Sequence, residues 1–371
     1  MVTSVLRSVP DTYGVKYAGS KLRLLPHILD LVGKTKAETV LDAFSGTTRV
    51  AQALAANGIR VTANDISELS RVFAICFLRA PGNDAEYRDL IDHLNSLPGK
   101  DGWFTKHYGG DPAGYESVGR DGLKKPFQIH NTKKLDAIRE EIKRLSLQEE
   151  EKCVALTSLI LALDKVDSTI GHFASYLRKW SRRSYNELFL ELPGATPIGA
   201  GHKVFQKDVF EALGEGEWDL AYLDPPYGSN NEKMPPSRVR YAAYYHFWKT
   251  VILDDRPELF GKALRRSDSS DELSYSPFED FRRGEDKEYI AIGAIRRLIR
   301  EVPARYVLLS YSSGGRATRK ALESALLESG RIMESLSIDH QKNVMASMSW
   351  TGDWASEQQA PNQEYLFLLE K

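Results

Sequence analysis

The segment that most constrains this chain is Asp219-Leu220-Ala221-Tyr222-Leu223, followed at once by Asp224-Pro225-Pro226-Tyr227. The first five residues read as an apolar, β-prone strand, and two successive prolines, which have no backbone donor, forbid its continuation inside a sheet. A strand that stops on an acid and two prolines suits an open α/β sheet, where ligands bind beyond the carboxyl ends of the strands.

A second unit of the same kind lies upstream. Thr39 to Phe44 is apolar and β-prone, and Ser45-Gly46-Thr47-Thr48 breaks it with turn and capping residues. From Arg49 the positions Val50, Ala51, Leu54 and Ala55 follow helical spacing, Gly58 suits the helix end, and Ile59 to Ala63 resumes as a strand closed by Asn64-Asp65. A strand, a glycine turn, a helix and a strand ending on an acid form the frame of a nucleotide-type cofactor site. Further strands are expected at Tyr306 to Ser310, Ile332 to Ile338 and Tyr365 to Leu369, with a helix from about Arg316 to Ser329.

The stretch separating Asp65 from the Asp-Pro-Pro-Tyr strand far exceeds the ~2–6 residue loops usual in α/β units. It is expected to form an inserted lobe, with helices at about Asp84 to Ser96, Lys133 to Leu147 and Glu149 to Asp164 and an irregular Gly99 to Gly122. A chain of 371 residues, 42% of them hydrophobic, can bury cores for two lobes. The expected division is a main domain of residues 1–66 and 200–371, carrying a loop-rich insertion at about 228–285, and an inserted lobe of residues 67–199.

Asp224 and the Pro225 carbonyl, whose backbone the following proline restricts, make a pair of fixed acceptors. Such a pair suits an exocyclic amine on a base, whose lone pair is delocalised into the ring and which must be drawn toward tetrahedral geometry before it can attack. Tyr227 offers a flat face for an extruded base. A plain turn after a strand is the competing reading. On the cofactor side, Lys16-Tyr17-Ala18-Gly19-Ser20-Lys21 combines small residues with a cation that could meet a carboxylate, and Asp65 could accept ribose hydroxyls or cap a helix. Asp208, followed by Val209 and Phe210, could accept from an adenine amine or serve only as a turn residue.

In this order the motifs resemble the N6-adenine DNA methyltransferases, particularly the DNA adenine methylase (D12-type) branch. The resemblance covers Lys16 to Asp65 and Val204 to Tyr227 well and the C-terminal strands loosely. It implies a Rossmann-like S-adenosylmethionine-dependent methyltransferase sheet with an inserted, mainly helical target-recognition lobe, and direct methyl transfer to a flipped adenine in double-stranded DNA. It implies cofactor contacts at Tyr17, Ala18, Gly19, Lys21, Asp42, Phe44, Gly46, Thr47, Thr48, Asp65, Ile66, Asp208, Val209 and Asp224, and catalytic roles for Asp224, Pro225, Pro226 and Tyr227. One departure stands out: the family commonly has a second glycine in the first turn, where this chain has Thr48, which could cap the helix instead.

Lys165, Arg178, Lys179, Arg182 and Arg183 are interleaved with His172, Phe173, Tyr176 and Trp180, a pattern that suits phosphate contacts on DNA. A solvated helix face with its aromatics in the core is the competing account. Tyr241, Tyr244, Tyr245, His246, Phe247 and Trp248 form an aromatic run expected mostly to pack against the catalytic domain.

Overall charge is uninformative, with 50 Lys and Arg against 51 Asp and Glu. The two cysteines, Cys76 and Cys153, supply neither a disulfide framework nor a metal-site spacing, and no Pro-Cys dipeptide offers the nucleophile of a C5-cytosine enzyme. No stretch approaches the ~20 apolar residues of a membrane span and Met1 to Pro10 lacks a signal-peptide apolar region, so a soluble, cytoplasmic, metal-free protein is expected. A cognate restriction endonuclease is an implied partner, and monomer and dimer both stay open. Rival readings are an N4-cytosine or RNA-adenine amino methyltransferase, and a non-catalytic DNA-binding protein with a methyltransferase fold.

Overall fold

A computed structural model describes residues 9–80, 84–111, 113–114, 116–119, 122–194, 201–228, 240–270, 273–280, 282–285, 287–340 and 362–371. Much of the expected insertion at 228–285 is therefore described, while 229–239, 271, 272 and 281 lie outside these residues, as does part of Met1 to Pro10.

The seven strands of the central sheet are β1 (Thr39–Asp42), β2 (Arg60–Asn64), β3 (Lys203–Phe205), β4 (Trp218–Leu223), β5 (Ala304–Ser312), β6 (Arg331–His340) and β7 (Asn362–Glu370). They lie side by side in the order β3-β2-β1-β4-β5-β7-β6. β1, β2, β3, β4 and β5 run parallel, and β7 lies antiparallel between β5 and β6. This is the expected α/β class with a mostly parallel, Rossmann-like sheet.

β1 and β4 read as continuous apolar runs because helices cover both of their faces. On one face, α1 (Leu25–Thr35) and α2 (Arg49–Ala56) bury Leu25, Ile28, Leu31, Ala51 and Leu54 against Val40, Leu220 and Leu308. On the other, Ile292, Ile295, Leu298 and Ile299 of α11 (Ile290–Glu301) and Leu322 and Leu326 of α12 (Arg319–Leu327) pack against Leu41, Ala221, Val307 and Phe367. Thr318 caps α12, its hydroxyl accepting from the Ala321 N–H, so that helix begins later than the apolar pattern alone implied.

Between β2 and β3 the chain forms α3 (Glu68–Ala74), a π-helical turn over Ile75–Arg79, α4 (Asp84–Ser96), α5 (Trp103–Tyr108), α6 (Ile129–Arg144) and α7 (Glu149–Val166). α7 starts on a capping box between Gln148 and Glu151, and Glu149 to Glu151 complement the positive end of its dipole. Its apolar face, including Leu156, Leu159, Ile160 and Leu163, lies at the centre of a separate core.

The aromatic run departs from expectation. It forms α9 (Tyr241–Tyr244) and α10 (His246–Leu253), and α10 packs into the core of the helical lobe. Phe247, fully buried, stacks on Phe173 at 4.8 Å and meets the Tyr108 ring edge-on at 4.9 Å. A segment that follows β4 in sequence thus helps close a core built mainly from residues between β2 and β3. Among the described residues no helix is long and apolar enough to cross a membrane.

Because Phe247 joins several rings across this core, Phe247→Ala should destabilise the protein by about 3–5 kcal/mol. Urea unfolding followed by far-UV circular dichroism reads this as a lowered midpoint, and an unchanged midpoint would refute the packing described.

Candidate active site

Strand order reverses between β1 and β4, and the carboxyl ends of these two neighbours carry the two central acids. Asp42 ends β1 opposite Tyr222, and Asp224 follows β4 directly. Beyond them opens a cavity of about 400 Å³. Its lining includes Phe44, Ser45, Gly46, Thr47, Asp65, Ile66, Asp208 and Val209 together with Gly19, Lys21, Asp224, Pro226, Tyr227, Tyr241 and Glu279.

The first turn is held from both sides. Asp65 accepts from the Gly46 N–H through Oδ2 and from the Ser67 N–H through Oδ1, both at 2.9 Å. Ser67, not Asp65, caps α3. Gly46 has φ +50° and lies under the Tyr17 ring. Thr48, at the position of the family's second glycine, also adopts a left-handed conformation with φ +62°. Its side chain does not cap α2; the hydroxyl accepts from Gln52 Nε2 at 2.9 Å. The glycine-like backbone path is thus retained by a β-branched residue, at a conformational cost of about 1–2 kcal/mol.

The entry segment is set by aromatics. Tyr17 stacks on Tyr245 with ring centroids 4.3 Å apart, and the Ala18 N–H donates to the Tyr245 hydroxyl at 2.6 Å. Gly19 has φ +82°, and a Cβ there would stand 2.9 Å from the Tyr241 hydroxyl, so only glycine fits. Ile66 is 72% exposed at the cavity edge, an apolar surface open to a ligand. Asp208 caps α8 (Val209–Ala212) by accepting from the Phe210 N–H at 2.9 Å, while facing the cavity.

Lys21 lies buried among acids. Its ammonium is 3.2 Å from Asp224 Oδ1 and 3.3 Å from Glu364 Oε2, and it donates to the Tyr227 hydroxyl. Asp224 Oδ1 is buried against the ammonium, while the Asp224 side chain keeps 15% of its surface exposed at the cavity wall. Burial pushes the Asp224 carboxyl up to about 6, against the pull of Lys21 and with a further push from Glu364. Burial works to lower Lys21, but Asp224 and Glu364 more than offset it and hold the ammonium above the ordinary lysine range. Pro225 is buried behind Asp224, Pro226 and Tyr227, and the Tyr227 ring meets Tyr311 at 4.9 Å.

Three acids here have no hydrogen-bond partner for a buried oxygen among the described residues: both oxygens of Asp42, Asp224 Oδ1 and Glu279 Oε1. Burial raises Asp42 well above the carboxylate range, with Asp224 and Asp65 adding to the effect. Burial likewise raises Glu279 to about 8 against the opposing charge of Arg240. The Glu279 backbone packs against Gly228, just after Tyr227. Neither Glu279 nor Glu364 stands out in the sequence. Glu279 sits in a polar stretch without periodicity; Glu364 immediately precedes the expected strand at Tyr365, and an acid at the start of a buried strand is the one signal it offers.

The basic stretch leaves the α-helix at Val166 and has only a short 3-10 helix at Arg182–Tyr185, and its members separate. His172 is buried, stacked on Tyr244 at 4.2 Å, and burial lowers its imidazole to about 4, so it is neutral near pH 7. Tyr176 is buried and donates to the Ala263 carbonyl. Arg183 pairs with buried Asp167 and donates to the Thr169 carbonyl. Lys165 pairs with Glu191 at 2.6 Å and Arg178 with Glu116 at 3.0 Å, on the surface. Lys179 and Arg182 are exposed and make no ion pair among the described residues, and Tyr185 and Phe189 nearby are also exposed. Among the described residues no cluster of three or more His, Cys, Asp or Glu could hold a metal ion.

Glu279 provides a test of this electrostatic arrangement. A carboxyl whose folded-state value is raised contributes stability fully below its unfolded value, and that contribution is lost as pH rises through about 8. Glu279→Gln should therefore lose less stability than the wild type between mildly acidic and alkaline pH. Parallel thermal melts across that range that superimpose in slope would refute the buried, neutral Glu279.

A model of the D12 class N6 adenine-specific DNA methyltransferases matches residues 17–279. The chain is similar to Type II methyltransferase M.NlaIII of Neisseria lactamica, 27% identical over 312 residues, covering 81% of this chain and 84% of that protein. It is 28% identical over 332 residues to modification methylase StsI of Streptococcus sanguinis, covering 85% of this chain but 46% of that longer protein. With Type II methyltransferase M2.HphI of Haemophilus parahaemolyticus it shares 25% identity over 382 residues, covering 96% of this chain and 97% of that protein.

Proposed function

The chain belongs to the D12 class N6 adenine-specific DNA methyltransferases, and on that premise we propose that the Asp224 carboxylate is the acceptor that activates the target adenine amine. The observation that carries this is a mostly buried carboxylate that lines the cavity beside the point where strand order reverses. The Asp224 carboxylate accepts one N6–H, the Pro225 carbonyl accepts the other, and the nitrogen lone pair is drawn out of conjugation toward the attacking geometry. Tyr227 and Tyr241 bound the space for the flipped base. After transfer the amine sheds a proton, which the Asp224 carboxylate takes and releases to water, a step suited to a carboxyl near 6.

The donor set of the cavity fits S-adenosylmethionine. Asp42 presents two buried oxygens without partners, and Asp65 and Asp208 add acceptors on the same side. A ligand bearing an ammonium, a sulfonium, ribose hydroxyls and an adenine amine supplies the donors and positive charge that these acids lack. When bound, it provides an electrophilic methyl group. Asp42 would face its cationic end, Asp65 the ribose, and Asp208 the adenine amine, with Ile66, Phe44 and Val209 packing on the ring. Tyr17, Ala18, Gly19, Gly46, Thr47 and Thr48 shape the backbone around the methionine part. Lys21 is balanced by two acids of the chain itself, so its part is at Asp224 more than at a cofactor carboxylate.

Duplex DNA would meet the lobe at Arg178, Lys179 and Arg182, with Lys165 at the margin, whereas His172, Tyr176 and Arg183 support this surface from inside. A role as the modification enzyme of a restriction system, beside a cognate endonuclease, follows the relatives' names and is tested by sequencing methylated DNA next to the gene's neighbours.

Asp224→Ala should lower methyl transfer to DNA by about 10³-fold or more while leaving calorimetric cofactor binding nearly intact. Full activity in that variant would sink the mechanism. Replacing Arg178, Lys179 and Arg182 together by Ala should weaken DNA binding and reduce the slope of log affinity against log salt by about 0.9 for each phosphate that is no longer neutralised. An unaltered slope in fluorescence anisotropy would move the DNA surface elsewhere.

A further inference from the structure

We propose that Glu364 is a positioning residue for methyl transfer: by holding one side of the Lys21 ammonium, it limits that cation's hold on Asp224 and leaves the carboxylate able to accept from the target amine. The inference rests on the role given to Asp224 above. Glu364 lies on β7, outside the matched residues 17–279, and is only 6% exposed.

An ammonium has three N–H donors in a compact head. In this structure Glu364 Oε2 accepts one at 3.3 Å and the Tyr227 hydroxyl accepts another. Asp224 Oδ1, itself buried, lies 3.2 Å from the same ammonium. A buried ammonium next to a single carboxylate would turn a donor onto it, because attraction at this range is strong where water is scarce. Asp224 would then be both occupied as an acceptor and a weaker base. The second carboxylate divides the cation's attraction. It also leaves the cluster of one ammonium and two carboxylates with excess negative charge, which favours a basic Asp224.

Burying a second carboxylate is costly, and Lys21 already has one counter-charge in Asp224, so neutralisation of Lys21 alone does not account for Glu364. The groups that face Asp224 are Lys21 and Glu364, the phenols of Tyr17, Tyr222, Tyr227 and Tyr241, and Asp42 behind it. Of these, only Glu364 both raises the Asp224 carboxyl and competes for its cation.

The test is the pH profile of single-turnover methyl transfer to DNA by the full chain. Glu364→Gln removes the charge and keeps the shape. The acidic limb set by Asp224 should move down by about one pH unit, and the rate on the alkaline plateau should fall by about tenfold, as for a pair coupled within one network. Glu364→Asp should return the limb toward its wild-type position. Thermal melts establish that each variant folds. An acidic limb that stays in place in Glu364→Gln overturns the proposal even if the rate falls, since poorer packing lowers a rate without moving a titration. Asp224→Asn separates the two readings. If it keeps full activity, the role of Asp224 fails and this inference with it; if it is inactive while the Glu364→Gln limb is unmoved, only the role of Glu364 fails.

Discussion

The Lys21 ammonium is the constraint to which the rest of the site is fitted. It joins the segment before α1, the loop after β4 and the start of β7 at one buried point, linking residues as far apart in sequence as Lys21 and Glu364. A buried charge cannot be left half-paired, so these three segments must arrive together. The sheet makes this possible: β4 and β1 are neighbours, and β7 is inserted antiparallel next to β5, which brings its first residues to the edge where the parallel strands end. The antiparallel strand is therefore more than a sheet extension. It delivers a carboxylate to an edge that a parallel strand at that position would reach with its last residues.

Around this cation the cavity is built against its own electrostatics. Asp42, Asp65, Asp224 and Glu279 are all raised by burial, and Asp42 and Glu279 hold buried oxygens without partners among the described residues. Such groups cost stability, and a left-handed Thr48 adds strain to the same wall. A ligand rich in donors and positive charge would reverse the sign of most of these terms, which is how fixed protein dipoles and charges favour a cationic ligand.

The sequence carried the parts of the fold that obey local rules. Apolar runs stopped by prolines or glycine gave β4, β1 and their turns, and a helical period with a capping box gave α7, with α4 found at its observed bounds. What it could not carry were contacts made by distant segments. Glu364 precedes a plainly apolar strand, and nothing local shows that Lys21 stands opposite. His172 and Tyr176 have the composition of a nucleic-acid surface, but their burial follows from α9 and α10 folding back onto them. Thr48 breaks the family pattern in letters while keeping its backbone conformation, a distinction visible only in φ.

That fold-back also defines how the two lobes communicate. The Phe173 N–H donates to the Tyr244 carbonyl, His172 stacks on Tyr244, and the adjoining Tyr245 stacks on Tyr17 and accepts from Ala18. These contacts run without a gap from the basic stretch after α7 to the backbone at Gly19 and Lys21. Stacked, buried aromatics shift as units and do not deform gradually. The basic stretch proposed to meet DNA and the segment that carries Lys21 are therefore linked by packed contacts, through residues that follow β4 in sequence. The helical lobe and the central sheet have separate cores, and the chain crosses back between them at α9 and α10.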